Sequence, residues 1–291
     1  MNRLFLLLVI SLSLFGFDLE KMSVSEYKIA NGRTTLLLFE EQKGIELESI
    51  RYGKKNFKIF PTPHNPHKYY VIIPFSYYES LGNKELFINY KENQKAKKEK
   101  ILLKVISGGY AKEEIHVSSK KVNPQAKSIK KRISQEYNEA MKIYGTVTPK
   151  SYLSKPFISP LESKITSDFG KARVYNGSLK GYHSGTDYRA AVGTPIKAAN
   201  DGRVALVKIR FYSGGTVLID HGEGIYTCYF HLSDFKVKEG EMIKRGDIIG
   251  LSGDSGRVTG PHLHFSVRIN AVQVDPLQFI EIMNKKLLLG K

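Results

Sequence analysis

Short strand-like runs separated by turn residues make up most of this chain of 291 residues, and they restrict it to a mainly β fold. Between residues 155 and 281, where 16 of the 25 glycines lie, runs such as GRVALVKI and HLHFSVR alternate with glycine turns. This pattern predicts an antiparallel β-sheet domain over residues 155–281. Residues 17–122 contain similar runs, including TTLLLF and YYVIIPFSYY, whose spacing predicts a small β-sandwich or barrel-like domain.

One segment between the two β regions has helical periodicity instead. Apolar side chains recur there every three or four positions, at Ile129, Ile133, Tyr137, Met141 and Tyr144. Asn123 and Pro124 suit the start of a helix, and Gly145 suits its end. We therefore predict an amphipathic linking helix of roughly 20 residues. It would lie within a linker over residues 123–154 and have a solvated, lysine-rich face.

The ends of the chain predict export and a short tail. Residues 1–16 carry one arginine followed by an apolar run, which is typical of a secretory signal peptide. Phe17 stands where a lipid-anchored precursor needs cysteine, so we expect an exported protein of the periplasm or cell envelope. One cysteine excludes an intramolecular disulfide, and strand alternation predicts that Cys228 is a buried small apolar residue. Residues 282–291 are expected to form a C-terminal tail.

The formal net charge of +17 is unevenly distributed. Lys and Arg outnumber Asp and Glu by 25 to 15 over residues 17–154, but only by 16 to 13 over residues 155–281. The basic N-terminal region therefore suits an anionic wall polymer or membrane surface. We expect no nucleic-acid partner, because the chain is predicted to be exported and has no nucleic-acid-binding motif. The sequence leaves the oligomeric state open.

Two histidines lie two positions apart in the stretch TGPHLHFSV, residues 259–267. In an extended strand, His262 and His264 point to the same side. The pair alone is compatible with a metal site and equally with two polar residues on one face of a strand.

Further candidate ligands lie upstream, in GYHSGTDYRA. His183 and Asp187 have the same parity, and Gly185 between them favours a strand or loop over a helix. Two imidazoles and a carboxylate are a common zinc donor set, which in a catalytic site leaves the fourth tetrahedral position for water. His231, in YTCYFHLSD, would then either act on such a water or form a strand-end hydrogen bond to the backbone.

Three motifs in this order resemble the peptidoglycan-hydrolysing zinc metallopeptidases of the lysostaphin and LytM type. They are H-x-x-x-D at 183–187, Y-x-H-L-S at 229–233 and T-G-P-H-L-H-F at 259–265. The resemblance covers about residues 155–280 and implies a LytM-type peptidase domain. Its zinc ligands would be His183, Asp187 and His264. His231 and His262 would be catalytic residues that do not bind the metal.

The resemblance implies an exported zinc metallopeptidase that hydrolyses peptide cross-links or stem peptides of peptidoglycan. Zinc would act as a Lewis acid on water and a peptide carbonyl, and the two catalytic histidines would manage protons and oxyanion charge. The alternative is a non-catalytic LytM-like module that binds the cell wall and regulates other hydrolases; such relatives typically lack ligands, whereas all five positions are filled here. The bond that is cut, and endopeptidase versus carboxypeptidase preference, stay open.

Several other positions carry expectations about a substrate groove. Residues 171–182 are expected to line it. Ser266 lies on the same strand face as the histidine pair and is expected to affect the metal surroundings or a substrate subsite. His221 is interpreted as a loop or groove-wall residue. His64 and His67, in TPHNPH, are interpreted as part of a turn, and a sharper hypothesis is that this loop or a neighbour caps the zinc.

Overall fold

The computed structural model describes residues 16–116, 125–175, 177 and 179–289, and the fold is mainly β, as predicted. Over these residues, no helix has the length and apolar character of a membrane span. The predicted signal peptide lies outside the described residues except for Gly16. Asn123 and Pro124, the predicted start of the linking helix, lie outside them too.

The N-terminal region is a sandwich of two sheets, preceded by a 3-10 turn at Leu19–Lys21. One sheet contains, in spatial order, β1 (Met22–Val24), β3 (Thr34–Glu40), β7 (Asn65–Pro74) and β6 (Phe60–Thr62). The other contains β2 (Lys28–Ala30), β9 (Lys95–Ile106), β8 (Gly82–Glu92), β4 (Ile45–Tyr52) and β5 (Lys55–Lys58). Apolar residues from the two facing sheets, such as Leu37 and Ile88, fill the core between them.

The first of these sheets is buried on both sides. Because side chains alternate along β3 and β7, Leu37 and Val71 face the core of the N-terminal sandwich while Leu36 and Tyr70 face the C-terminal region. The backbone N–H of Asp275 donates to the Gly32 carbonyl at 2.7 Å across this junction. The two β regions therefore share a continuous hydrophobic contact.

The chain leaves the N-terminal sandwich before the predicted boundary at residue 122. β10 (Lys112–Ile115) pairs in parallel with β12 (Ala172–Tyr175), which pairs with β13 (Leu179–Tyr182). A strand that the sequence places in the N-terminal domain thus joins a small sheet of the C-terminal region. Residues 117–124 are not among those described, so the boundary between 17–122 and 123–154 stays a prediction.

Among the described residues, the largest sheet has ten strands, all paired antiparallel as predicted. Its main path contains β11 (Ile165–Ser167), β14 (Thr186–Arg189), β21 (His262–Ile269), β18 (Ile225–Phe235), β17 (Gly214–Asp220), β16 (Gly202–Arg210) and β19 (Met242–Ile243). Three more strands pair at its sides: β15 (Pro195–Lys197), β20 (Ile248–Ser252) and β22 (Val272–Val274).

The two faces of this large sheet have different surroundings. On one face, Tyr229 and Phe265 point into the main hydrophobic core. On the other face, Cys228 packs under helix α1 (Lys127–Tyr144) together with Tyr144, and it is fully buried, as predicted. The part of this second face that α1 leaves uncovered carries the candidate site.

Helix α1 ends at Gly145, as predicted, but its buried side differs from the prediction. Tyr137 was expected on the apolar face and is 60% exposed. Glu136 lies inward instead, where its carboxylate accepts from the Phe211 backbone N–H at 2.8 Å and from Arg132 at 2.7 Å. These bonds satisfy a buried carboxylate, so the prediction for Tyr137 is wrong.

The C-terminal residues pack against the core. Helix α2 (Pro276–Ile282) begins at Asp275, whose side chain accepts from the first free N–H groups of the helix. A π-helical turn, Met283–Leu288, follows, and Leu287 is buried in it. The predicted tail over residues 282–291 therefore contributes to the core as far as residue 288.

Candidate metal centre

Asp187 and His264 lie opposite each other on neighbouring strands. The register of β14 and β21 pairs these two residues, so their side chains leave the same face of the sheet. Phe230 on β18 pairs with His264 from the other side, and its ring stacks on the imidazole with 5.4 Å between ring centroids. A Cβ at Gly185 would lie 2.6 Å from His264 Nε2. The position of the His264 ring therefore depends on a glycine at 185.

His183 reaches the same place from the segment that joins β13 to β14. Its backbone N–H donates to the Lys171 carbonyl at 2.8 Å. Its ring Nδ1 lies 2.7 Å from the Asp168 carbonyl oxygen. Because a carbonyl only accepts, Nδ1 carries the proton and Nε2 faces the site with its lone pair. A metal-binding histidine needs this arrangement.

Three donor atoms converge here: His183 Nε2, Asp187 Oδ1 and His264 Nδ1. The carboxylate oxygen lies 2.9 Å from the His183 nitrogen and 2.8 Å from the His264 nitrogen, and the nitrogens are 3.1 Å apart. Ligands around tetrahedral zinc, with bonds of about 2.0–2.1 Å, lie roughly 3.3 Å apart. The three buried side chains therefore fit a zinc ion and leave one tetrahedral position open.

His231 lies in the same groove because the backbone of β18 bends there. Strict alternation would place it with Tyr229 on the core side of the sheet. Its φ of 66° lies in the left-handed region, and the pairing of β18 shifts register on both edges near this position. The bend brings the imidazole to His262, with 4.8 Å between ring centroids. Such backbone strain concentrates at functional sites.

His231 and His262 are both anchored through Nδ1 to a backbone carbonyl. The carbonyls are those of Ser255 and Gly260, each at 2.8 Å. As in His183, this leaves Nε2 as the lone-pair nitrogen. His262 Nε2 lies 3.7 Å from Asp187 Oδ1. This second pair of histidines therefore borders the three-donor cluster.

Burial sets the protonation state of the site. It lowers the pKa of His231 to about 3, with a contribution from the neighbouring His262 and His264. It also lowers the pKa of His264 to about 4, although Asp187 opposes this shift. Burial acts to raise the pKa of Asp187, but the interactions with the His183 and His264 rings outweigh it and hold that pKa well below its usual range. An ionised carboxylate beside neutral imidazoles is the state that metal binding requires.

Arg173 contacts the cluster, although no sequence motif predicts this. Its Nη2 donates to Asp187 Oδ2 at 3.2 Å and to Ser167 Oγ at 3.3 Å. Its Nε donates to Glu113 Oε2 at 3.0 Å. The one hint in the sequence is its place within residues 171–182, the stretch expected to line the groove.

The same stretch contacts the loop before His262. Arg257 stacks between the rings of Tyr175 and Tyr212, with 4.5 and 4.4 Å from its Cζ to the ring centroids. The loop that carries Arg257 also supplies the Ser255 carbonyl to His231. Within this stretch, Arg173 therefore contacts the metal cluster, and Tyr175 contacts Arg257 in the loop before His262.

Ser266 does not face the groove. It is fully buried and pairs in register with Cys228, whose thiol lies 3.6 Å from the Tyr144 hydroxyl of helix α1. Ser266 shares a strand face with His264, but α1 covers this part of the face. The prediction of a substrate subsite at Ser266 is therefore wrong.

His221 is a buried structural residue. It is fully buried, with Nδ1 2.7 Å from the Asp201 carbonyl oxygen and Nε2 2.7 Å from Thr227 Oγ1. Burial lowers its pKa to about 4. His221 lies in the loop after β17, as predicted, but both ring nitrogens are used within the fold, so the groove-wall alternative is wrong.

His64 lies in the turn between β6 and β7, as predicted, whereas His67 lies in strand β7. His67 pairs with Glu41, and His64 borders a cavity shared with Lys286. Within the part of the chain that the structure describes, neither histidine pairs with any of the five predicted site residues. The contacts of these two histidines therefore do not support capping of the zinc by this loop, and capping by a neighbouring loop stays a prediction.

Comparison with known proteins identifies the segment that carries the five site residues. Residues 181–276 match the model of Peptidase family M23. This segment therefore resembles the M23 (LytM-type) peptidase domain, as the sequence motifs predicted. His183, Asp187, His231, His262 and His264 all lie within the M23 segment, whereas Arg173 and Glu113 precede it.

Two bacterial relatives are similar to part of this chain. The peptidoglycan DD-endopeptidase ShyC of Vibrio cholerae serotype O1 is 41% identical over 143 residues, which are 48% of this chain and 33% of ShyC. The DD-carboxypeptidase/endopeptidase Mpg of Neisseria meningitidis serogroup B is 43% identical over 121 residues, 41% of this chain and 28% of Mpg. The chain thus covers a third or less of the length of these relatives.

The likeness to one solved structure extends further along the chain. A crystal structure of a protein described as a peptidase M23 from Pseudomonas aeruginosa has a TM-score of 0.65 and 25% identity. It covers 86% of this chain and 94% of that protein. The shared architecture therefore reaches beyond the M23 segment into the N-terminal sandwich.

Proposed function

We propose that this protein is a zinc metallopeptidase that hydrolyses peptide cross-links or stem peptides of peptidoglycan. One observation carries the proposal: the donor atoms of His183, Asp187 and His264 lie within 4.8 Å of one another inside an M23 segment. The names of ShyC and Mpg support the substrate class and favour D,D-endopeptidase action, with D,D-carboxypeptidase action as the competing activity.

In this proposal His183, Asp187 and His264 hold the zinc ion. When bound, zinc supplies a Lewis acid that polarises a peptide carbonyl and makes water nucleophilic at neutral pH. The chain presents the lone pairs: the Asp168 carbonyl fixes the tautomer of His183, and the Arg173 guanidinium donates to Asp187 Oδ2, which favours the ionised form of this buried carboxylate. No glutamate of an HExxH motif is present in the sequence, so the proton chemistry falls to other histidines.

His231 and His262 are the proposed catalytic histidines. The carbonyls that hold their Nδ1 protons leave Nε2 of each ring free to accept a hydrogen bond from water and orient it. A proton accepted at Nε2 turns the ring into a donor, which stabilises the developing oxyanion and then protonates the leaving amine. With 4.8 Å between their centroids, the two rings are close enough to act on one scissile peptide.

We also propose that the protein is exported to the periplasm or cell envelope and that its basic N-terminal region holds it to anionic wall material or membrane. The apolar run in residues 1–16 supports export. Exposed lysines of β9 support the anionic surface, at Lys95, Lys97, Lys98, Lys100 and Lys104. Binding of the full-length protein to purified wall or to anionic vesicles should then weaken as salt rises.

The deciding experiment incubates the mature protein with purified cross-linked muropeptides and identifies the products by mass spectrometry. Endopeptidase action converts dimers to monomers, whereas carboxypeptidase action removes single terminal residues. We expect His264→Ala to abolish both zinc content and cleavage, and His67→Ala, a histidine outside the site, to change neither. Undiminished turnover in His264→Ala would contradict the proposal.

A further inference from the structure

The two oxygens of Asp187 have different partners. Oδ1 lies 2.9 Å from His183 Nε2 and 2.8 Å from His264 Nδ1, on the side of the metal cluster. Oδ2 lies 3.2 Å from Arg173 Nη2. The guanidinium continues to Glu113, whose Oε2 accepts from Arg173 Nε at 3.0 Å. A line of two ion pairs thus connects Glu113 to a proposed metal ligand.

The backbone explains why Glu113 and Arg173 meet. The parallel register of β10 and β12 places Glu113 directly beside Arg173. Sixty residues of chain, including helix α1, separate the two positions. Glu113 belongs to the strand that leaves the N-terminal sandwich, and both residues precede the M23 segment. The contact to the metal cluster therefore comes from a part of the chain that the family segment does not include.

We propose that Arg173 and Glu113 are positioning residues that orient Asp187 for the metal, so that β10 is a functional part of the site. The inference rests on the proposed function, because it takes Asp187 to be a zinc ligand. A carboxylate rotates easily about its last torsion, and a donor held on one oxygen fixes which oxygen faces the metal. Arg173 is that donor.

Glu113 is needed because Arg173 is positively charged and lies next to the proposed site of a metal cation. The Arg173 side chain is 14% exposed, so water screens its charge only partly. Without Glu113, the positive charge of Arg173 would repel a zinc ion even though the hydrogen bond from Arg173 orients Asp187. The Glu113 carboxylate offsets that charge and holds the guanidinium in place through Nε, which leaves Nη2 for Asp187.

The test is zinc affinity of the full-length protein, measured by competition with a fluorescent chelator at fixed pH. We expect Arg173→Gln to weaken zinc binding about 10- to 100-fold, the usual range for a residue behind a metal ligand. Glu113→Gln should weaken it by a smaller factor. Because Glu113 acts through Arg173, the double variant should bind zinc no more weakly than Arg173→Gln alone.

Two neighbouring positions provide matched controls. Glu114 follows Glu113 on the same strand, is exposed and forms no ion pair with the described residues. Lys171 also pairs with Glu113, at 3.8 Å, but does not contact Asp187. Glu114→Gln and Lys171→Gln should leave zinc affinity unchanged. Arg173→Lys, which keeps the positive charge and one donor nitrogen but not the planar fork, should recover part of the affinity that Arg173→Gln loses.

The outcomes separate this inference from the proposed function. If the wild-type chain binds no zinc, the proposed function fails and the inference fails with it. If the wild type binds zinc but Arg173→Gln binds it equally well or more tightly, the inference alone is overturned. Strictly multiplicative losses in the double variant would also overturn it, since they would mean that the two residues act independently. Thermal unfolding of the metal-free variants checks that each one is folded.

Discussion

Two buried carboxyl groups of this protein differ sharply in their ionisation. Asp187 is 7% exposed and Glu223 is 5% exposed, so burial penalises the charge of both. Asp187 contacts two imidazoles and a guanidinium, and its interactions with His183 and His264 hold its pKa well below the usual range. Glu223, in the turn before β18, accepts a hydrogen bond from the Tyr70 hydroxyl of the N-terminal sandwich, and burial raises its pKa to about 7.

The difference shows that the groups in contact with a buried carboxyl group determine whether it is ionised. Asp187 keeps its charge because polar and charged groups, including the Arg173 guanidinium, replace water around it, and that charge is available to a cation. Glu223 has a neutral hydroxyl as its closest partner, so its neutral form is favoured between the two β regions. One carboxyl group therefore suits a metal centre and the other suits a hydrogen bond that joins two domains.

The largest expected effect is at Asp187. Asp187→Asn keeps the shape of the side chain but replaces the negatively charged carboxylate, the proposed metal ligand, by a neutral amide. We expect zinc affinity to fall by more than about 100-fold, the upper range for residues that only support a ligand, and cross-link cleavage to be lost. Metal content after dialysis and muropeptide cleavage measure the two effects.

The matched control for Asp187→Asn is the same chemical change at the other carboxyl group. Glu223→Gln should leave zinc content and cleavage as in the wild type, because Glu223 contacts none of the three proposed ligands. Loss of zinc in both variants would contradict the distinction between the two carboxyl groups, since it would show that zinc binding depends on both of them.

The next largest effect is expected at His231, which lies beside the metal cluster without joining it. We choose His231→Asn because asparagine tolerates the left-handed backbone observed there, a φ of 66°. Turnover should fall by about 10²- to 10⁴-fold, as for the loss of a general acid or base. Zinc affinity should stay unchanged. Loss of zinc from this variant would instead make His231 a ligand.

A moderate effect on stability is expected from Glu223→Gln. The pKa of Glu223 is raised in the folded protein to about 7, above the ordinary value of 4.5. Between these two pH values the folded state binds the proton more tightly than the unfolded chain does. The free energy of unfolding therefore falls as pH rises from about 4.5 to 7, by on the order of 1–3 kcal/mol from this group.

Glutamine stays neutral at every pH and should remove this dependence. Thermal unfolding of both proteins from pH 5 to 8 measures it, since the other titrating groups are common to both. We expect the variant to gain stability over the wild type as pH rises. Equal pH profiles for the two proteins would mean that Glu223 is ionised in the fold, as Asp187 is.

Much of the site could be predicted from the sequence because local periodicity determines it. Alternation along a strand placed His262 and His264 on one face, and the motifs of a resembling family led to His183 and Asp187. The fold brings all four together. His231 is different, because alternation places it on the core face and only a left-handed φ turns it into the groove. A single backbone angle of this kind leaves no periodic signal.

Contacts between distant segments could not be predicted. Arg173 meets Glu113 through a parallel pairing across 60 residues of chain, which no local pattern indicates. Glu136 is buried because a backbone N–H 75 residues away satisfies it. In both cases a charged side chain, which the sequence suggests is solvated, is stabilised by a partner from another element.

The smallest effect is expected at Ser266, a third buried polar side chain with neither kind of partner. Its hydroxyl is buried, and its polar neighbour is the Cys228 thiol, a weak hydrogen-bonding group. Ser266→Ala removes a poorly satisfied polar group, so stability should stay the same or rise by up to about 1 kcal/mol. Since helix α1 covers this position, zinc affinity and KM for muropeptides should not change. A raised KM with normal stability would show that substrate reaches under α1, and it would restore Ser266 as a subsite residue.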